Sequence, residues 1–215
     1  HRDLHSFPTR RSSDLVIKEE LESESNVLSE IRKEYAKKLC ELIEEALKEL
    51  KFMTVSFDME FKKLDSYSEN GNDDAYFMLS TNVGEPMRPL YEIASGGELS
   101  RVMLAVKACL ANEDDTPTLV FDEIDVGISG ATAQKVAEKM SVISRNHQVI
   151  CITHLPQIAS KADNSYLIEK TVTGGRTYTA IRPIDGEEKV MELARLLGGD
   201  NISDSVVTAA REMLV

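Results

Sequence analysis

Asp122 and Glu123 stand side by side at the end of the apolar run Leu119-Val120-Phe121, with Asp125 close behind, and His154 follows a second apolar run from Val149 to Thr153. Adjacent carboxylates on an apolar strand repel one another unless a cation offsets them. Mg²⁺ held by one carboxylate plus phosphate oxygens is the usual arrangement in nucleotide sites. That chemistry assigns roles. Asp122 would help hold Mg²⁺, often through water, Glu123 would polarise a water attacking a terminal phosphate, and His154 would contact that phosphate or position the water. Helix capping by Asp122 or Asp125 is the structural alternative, and it accounts for one carboxylate rather than a pair.

A second constellation lies upstream, in ASGGELSRVMLAVKACLA from Ala94 to Ala111. Leu99, Val102, Met103, Val106 and Leu110 have helical spacing, and Ser95 followed by Glu98 has the form of a capping box. Gly96 and Gly97 argue against a plain helix start, since each glycine costs about 1 kcal/mol relative to alanine in a helix interior. A glycine-rich helix N-terminus points bare N–H groups and the positive end of the helix dipole outward, which makes an anion site, and Ser95 adds a hydroxyl.

The elements that must position these residues follow from periodicity. Leu119–Phe121 is expected as a buried strand, 130–144 as a helix with Val136, Met140 and Ile143 on its inner face, and 149–153 as a second strand. This is a βαβ unit with parallel strands, and ligands of such sheets bind beyond the carboxyl ends of the strands. Upstream, Val55, Phe57, Met59 and Phe61 alternate with polar residues, and with 75–81 they form an expected antiparallel hairpin around SENGNDD. Pro86 and Pro89 hold the next segment extended. Downstream, 165–170 and 176–182 are expected as a hairpin, 187–197 as a helix stopped by Gly198 and Gly199, and Ser203 or Asp204 as the cap of a last helix. From Val16 to Lys51 one long helix is expected, with Leu28, Ile31, Tyr35, Leu39, Leu42, Ala46 and Leu50 in a stripe; an ordinary surface helix and one arm of a coiled coil both fit it.

Composition sets outer limits. With 42% hydrophobic and 29% charged residues in 215, the chain can bury a core. Its net charge of −12 argues against non-specific coating of nucleic acid, which needs clustered Lys and Arg, so any DNA contact must be local. Cys40, Cys109 and Cys151 are widely spaced in apolar runs and fit buried thiols in a reducing compartment. No apolar run approaches the roughly 18 residues that span a bilayer, so a cytoplasmic location is expected. HRDLHSFPTRRSSDL has no helical or strand period and is read as adapter-derived, non-native sequence; a basic nucleic-acid-binding arm and a targeting peptide are the alternatives.

Together these motifs resemble those of ATP-binding-cassette ATPases. ASGGELSR is similar to their signature motif, VFDEID to their Walker B strand, IDVGISG to their D-loop and THLPQIAS to their switch-histidine segment. Within that superfamily SGGELSRVMLAVK, FDEIDVGISG and ITHLPQIA resemble the RecN family, bacterial SMC-like DNA repair ATPases, over essentially Val16 to Val215. The resemblance implies an α/β fold, the C-terminal lobe of an ABC/SMC-type ATPase head. It divides the chain into an adapter segment (1–15), a coiled-coil arm helix (16–51) and the head's C-terminal lobe (52–215). It implies ATP and Mg²⁺ as ligands, with Asp122 on Mg²⁺ and Glu123 and His154 catalytic. Ser95, Gly96, Gly97 and Glu98 would contact ATP held by a second head in a homodimer, and Asp125 and Ser129 would form the D-loop contact. Many superfamily members have Asp where Ser129 stands, which leaves that inter-head contact open. A P-loop needs G-x-x-x-x-G-K-[ST], and none of the 11 glycines is followed by Lys, so the P-loop lobe is expected elsewhere in a longer protein. The implied function is ATP-driven head engagement in DNA double-strand break repair and recombination, on DNA in the nucleoid through the complete protein. Another coiled-coil ABC ATPase of DNA metabolism, or a non-catalytic module binding a separate P-loop subunit, are the alternatives.

Overall fold

A computed structural model describes residues 10–82, 84–93, 96–199 and 201–214. The chain divides into two compact units, one built from the residues up to Lys48 together with Phe52–Ile93, the other from Glu49–Lys51 and the residues from 94 onward.

In the first unit, helix α1 spans Arg10–Glu49 and strands β1 (Ser56–Ser68) and β2 (Gly71–Ser80) form an antiparallel hairpin, to which β3 (Arg88–Pro89) adds a short third strand. Val55, Phe57 and Leu79 are buried, so the alternation expected from the sequence holds at the base of the hairpin. The helix begins before Val16, inside the segment that shows no helical period, because no Pro or Gly interrupts Arg10–Leu15. Farther along, ion pairs Glu30–Lys33, Glu34–Lys38 and Glu44–Lys48 support its exposed face.

The buried face of α1 follows the expected stripe at Ala46 and Leu50, with Leu28 and Leu39 half-buried, but departs from it elsewhere. Ile31, Tyr35 and Leu42 are exposed, whereas Ser25, Ser29, Ala36, Cys40, Ile43 and Leu47 are buried. Polar fit and small size select this face. Asp73 of β2 accepts a hydrogen bond from Ser29 Oγ at 2.9 Å and pairs with Arg32 at 3.3 Å and Lys63 at 3.2 Å. Burial raises the Asp73 carboxyl, but the Ser29 hydrogen bond and the Lys63 and Arg32 cations outweigh it, and the net direction is down. A depressed carboxyl contributes stability above its unfolded pKa of about 3.9 and loses it as pH falls through the folded value. Asp73→Ala is therefore expected to cost about 1–3 kcal/mol at neutral pH and to flatten the acid limb of the stability profile. Urea titrations at pH 7 and pH 3 check this; an equal cost at both would remove the charge from the account.

In the second unit, β4 (Thr118–Phe121), α3 (Gly130–Ile143) and β5 (Gln148–Cys151) form the expected βαβ element, the strands parallel with Leu119 opposite Val149 and Phe121 opposite Cys151. Helix α2 (Gly96–Cys109) packs beside α3. The core joins Val102, Leu104, Ala105, Val106, Leu119, Phe121, Ala133, Val136, Met140 and Ile143. Among the described residues one face of the two-stranded sheet is covered, so Leu119 and Phe121 are buried as expected while Val120 between them is 63% exposed. Met103 is likewise exposed, because α2 turns Gly97, Arg101, Val102 and Ala105 inward instead.

After a short helix α4 (Pro156–Ala159), β6 (Ser165–Thr173) and β7 (Arg176–Ile184) pair as the expected hairpin, closed by Gly174 and Gly175 at φ 60° and 75°. Helices α5 (Gly186–Gly198) and α6 (Asp204–Glu212) pack through Val190, Leu193, Ala194 and Ala210. Gly199 closes α5 at φ 63°, its N–H bonded to Arg195 O at 2.9 Å, so the LLGG stretch is a helix stop. Ser203 occupies the N-cap of α6 without a side-chain cap hydrogen bond.

Candidate functional site

The site is assembled from three pieces of the second unit: the first turns of α2, the loop from Asp122 to Ser129 after β4, and Thr153-His154 after β5. The parallel pairing of β4 and β5 brings the last two to one edge. Ser95 lies outside the described residues; Gly96, Gly97 and Glu98 open α2.

Gly97, Ser100 and Arg101 fall at i, i+3 and i+4 and therefore share one helix face. That face meets the loop. Ser100 Oγ donates to Asp122 O at 2.9 Å, and Arg101 Nη1 donates to Val126 O at 3.0 Å and Ile124 O at 3.3 Å. Burial pulls the Arg101 guanidinium below its ordinary value, and the nearby charge of Glu98 opposes this. The glycines have a packing reason in the same chain. A Cβ on Gly97 would stand 3.0 Å from Glu123 O and 3.1 Å from Val126 O, and one on Gly96 would run into Glu123 Oε2. The bare backbone at the start of α2 lets the loop after β4 close against it.

Glu123 is exposed and adopts φ 57°, a left-handed conformation uncommon for a residue with a side chain. A turn bond from Val126 N to Glu123 O at 3.1 Å holds it. Its carboxylate lies beside Gly96, near the positive end of the α2 dipole. Asp122 is exposed, and its Oδ1 accepts the Glu123 N–H at 2.9 Å, which orients one carboxylate by the backbone of the other. The two acids thus differ in surroundings, as a division of labour requires.

Asp125 is turned inward. It is 4% exposed, and one oxygen, Oδ2, faces Thr153 Oγ1 at 2.6 Å, His154 N–H at 2.8 Å and His154 Nδ1 at 3.0 Å. The imidazole itself is 68% exposed, with Nδ1 beside the Asp125 carboxylate. Ser129 is exposed at the N-cap of α3 and its side chain makes no cap hydrogen bond. Among the described residues, no group of three or more His, Cys, Asp or Glu side chains is placed to hold a metal ion. Asp122 offers an exposed carboxylate directly after β4, which fits a cation that takes one protein oxygen and completes its shell with phosphate and water. Nearby, burial and the charges of Asp125 and Asp122 push the Cys151 thiol up to about 12, so it stays protonated and inert.

Comparison with known proteins follows this geometry. No family model matches the chain. A "DNA repair protein RecN" from Halalkalibacterium halodurans is 44% identical over 199 residues, covering 91% of this chain and 35% of that protein. The Bacillus subtilis protein of the same description is 40% identical, covering 100% of this chain and 40% of its own length. In sequence the chain is RecN-like, corresponding to the C-terminal part of those proteins. It spans 35 to 40% of the length of these two RecN relatives. In fold it resembles Smc heads: that of Pyrococcus yayanosii, with a coiled coil and joint, superposes with a TM-score of 0.51 at 22% identity, covering 86% of this chain and 36% of that one. The Pyrococcus furiosus Smc head, with an extended coiled coil, gives 0.50 at 21%, covering 87% and 44%. The RecN-like motifs read from the sequence are those the fold gathers at one edge. Three contributors were missed: Thr153, Ser100 and Arg101. The spacing of Ser100 and Arg101 from Gly97 was their available signal, and that of Thr153 was its place beside His154 in THLPQIAS.

Proposed function

We propose that this chain forms the part of a RecN-like head ATPase that carries the water-activating carboxylate and the signature helix, working with a P-loop borne elsewhere in a longer protein. Two heads would engage around ATP and drive the protein's action on DNA breaks. The supporting observation is the packing of Gly96 and Gly97 directly on the Glu123 turn, with Asp122 and the tethered His154 on the same strand ends. The open apolar face of Val120, Ile150 and Ile152 agrees with a layer supplied by another part of the protein covering that side of the sheet.

In this reading Glu123 accepts a proton from, and orients, the attacking water, while His154 contacts the terminal phosphate or that water. Asp122 would hold Mg²⁺, which when bound neutralises phosphate charge. Gly96, Gly97, Glu98 and Ser95 would meet the nucleotide of a second head, and Ser129 would lie at the junction of the heads.

Purified chain is expected to show no specific ATPase, because it contains no phosphate-cradling G-x-x-x-x-G-K-[ST]. The same chain within its full reading frame is expected to hydrolyse ATP with Mg²⁺. Phosphate release by both proteins is the measurement. Turnover by the isolated chain that disappears in Glu123→Gln would defeat the borrowed P-loop, and an inactive full-length protein that still binds a separate P-loop subunit would favour a non-catalytic module.

A further inference from the structure

We propose that Asp125 is a positioning residue for His154: it holds the imidazole by Nδ1 and leaves Nε2 as the nitrogen presented to ligand. This replaces the D-loop contact implied for Asp125 by resemblance, and it deepens the reading of His154 given above, on which its consequence for hydrolysis rests.

The geometry carries the assignment. Asp125 is 4% exposed and cannot itself reach a second head from that position, whereas His154 is 68% exposed. Asp125 Oδ2 accepts two hydrogen bonds from successive residues, the Thr153 hydroxyl and the His154 N–H, and lies 3.0 Å from His154 Nδ1. The first two fix the backbone at the end of β5. Thr153 Oγ1 in turn accepts the Leu155 N–H at 3.0 Å, so the turn leading into α4 is part of the same network. The third contact has no backbone role. A carboxylate 3.0 Å from Nδ1 favours a hydrogen on that nitrogen, and in the neutral ring this puts the lone pair on Nε2. The arrangement is that of a carboxylate orienting a histidine whose other nitrogen does the chemistry. Neutral His154 would then accept a hydrogen bond at Nε2, from the attacking water; protonated, it would donate to phosphate, with Asp125 balancing its charge. The loop makes this possible in one chain. The Glu123 turn reverses direction and buries Ile124 and Asp125 while leaving Asp122 and Glu123 outside, so adjacent acids serve opposite sides of the loop.

The test has two arms. In the first, ¹⁵N-labelled chain is studied by long-range ¹H–¹⁵N spectroscopy of the imidazoles, at a pH where His154 is neutral. The expected signature is a pyrrole-like Nδ1 and a pyridine-like Nε2. Asp125→Ala should move the ring toward the Nε2–H form that free imidazole favours, and Asp125→Asn, whose amide oxygen can still accept, should restore the Nδ1–H form. An Nε2–H ring in the unmutated chain overturns the proposal without any variant being needed, and an Asp125→Ala ring unchanged from it does so too. In the second arm, Asp125→Ala is placed in the full-length protein. Turnover number should fall about 10- to 100-fold, the usual cost of losing such an orienting partner, with KM for ATP little changed. A tautomer shift with unchanged turnover would leave the positioning intact and remove His154 from hydrolysis, so failure of this inference and failure of the proposed function give different results.

Discussion

Glu123→Gln in the full-length protein is expected to lower ATP turnover about 10²- to 10⁴-fold while ATP binding survives, because positioned proton transfer contributes that range to rate. The local structure predicts a clean loss. Glu123 is exposed, and the turn it occupies is held by main-chain groups: its own carbonyl bonded to Val126 N, and its N–H bonded to Asp122 Oδ1. Replacing the carboxylate by an amide of the same size removes a base and leaves those bonds in place. Heads with nucleotide bound should therefore stay engaged longer. Asp122→Asn should do something different. Its amide oxygen can still accept the Glu123 N–H, so the loop keeps its form, but the charge that offsets a cation is gone, and Mg²⁺-dependent ATP binding should weaken. Nucleotide binding by calorimetry, with and without Mg²⁺, separates the two. Identical behaviour, with neither variant retaining ATP, would end the division of roles between the adjacent acids.

The placement of these residues was legible because strand and helix periods are local properties. Leu119–Phe121, the Val136/Met140/Ile143 face and the run at Val149 state a βαβ unit, and that topology puts Asp122, Glu123 and His154 at one edge with no knowledge of side-chain contacts. Partner-dependent features were not legible. The inward face of α1 is set by Asp73, more than forty residues from Ser29 and Arg32, and no period within the helix reports it. The same holds for Asp125, whose neighbours in sequence suggested an outward acid and whose inward position is set by Thr153 and His154 in the segment after β5. Gly96 and Gly97 were assigned to phosphate on the general behaviour of helix N-termini. Their packing on Glu123 and Val126 of the same chain is a second demand on the same atoms, visible only once the loop is in place.

Those two demands can be separated by mixing subunits. Suppose Ser95→Arg blocks only the nucleotide of the opposite head. Paired with subunits defective in their own P-loop Lys, it leaves one composite site intact, made of its own P-loop and Glu123 and the partner's signature. After free exchange, about a quarter of normal turnover should return, since half of randomly formed two-fold dimers are mixed and each has one working site of two. Gly97→Ala should not be rescued. Its new Cβ would stand 3.0 and 3.1 Å from the carbonyl oxygens of Glu123 and Val126, main-chain atoms that yield only if the turn moves, and Arg101 binds that same Val126 oxygen. The variant therefore disturbs the Glu123 that its own P-loop needs as well as the signature it offers across the dimer. Both sites of the mixed dimer fail, one through a dead P-loop and the other through a displaced carboxylate. Turnover measured after verified exchange, with nucleotide binding by each variant as the control for folding, decides it. Equal rescue of the two variants would mean that the glycine's packing on the Glu123 turn has no hold on hydrolysis; rescue of neither would mean that the two sites must fire together or that the signature does not act across the dimer.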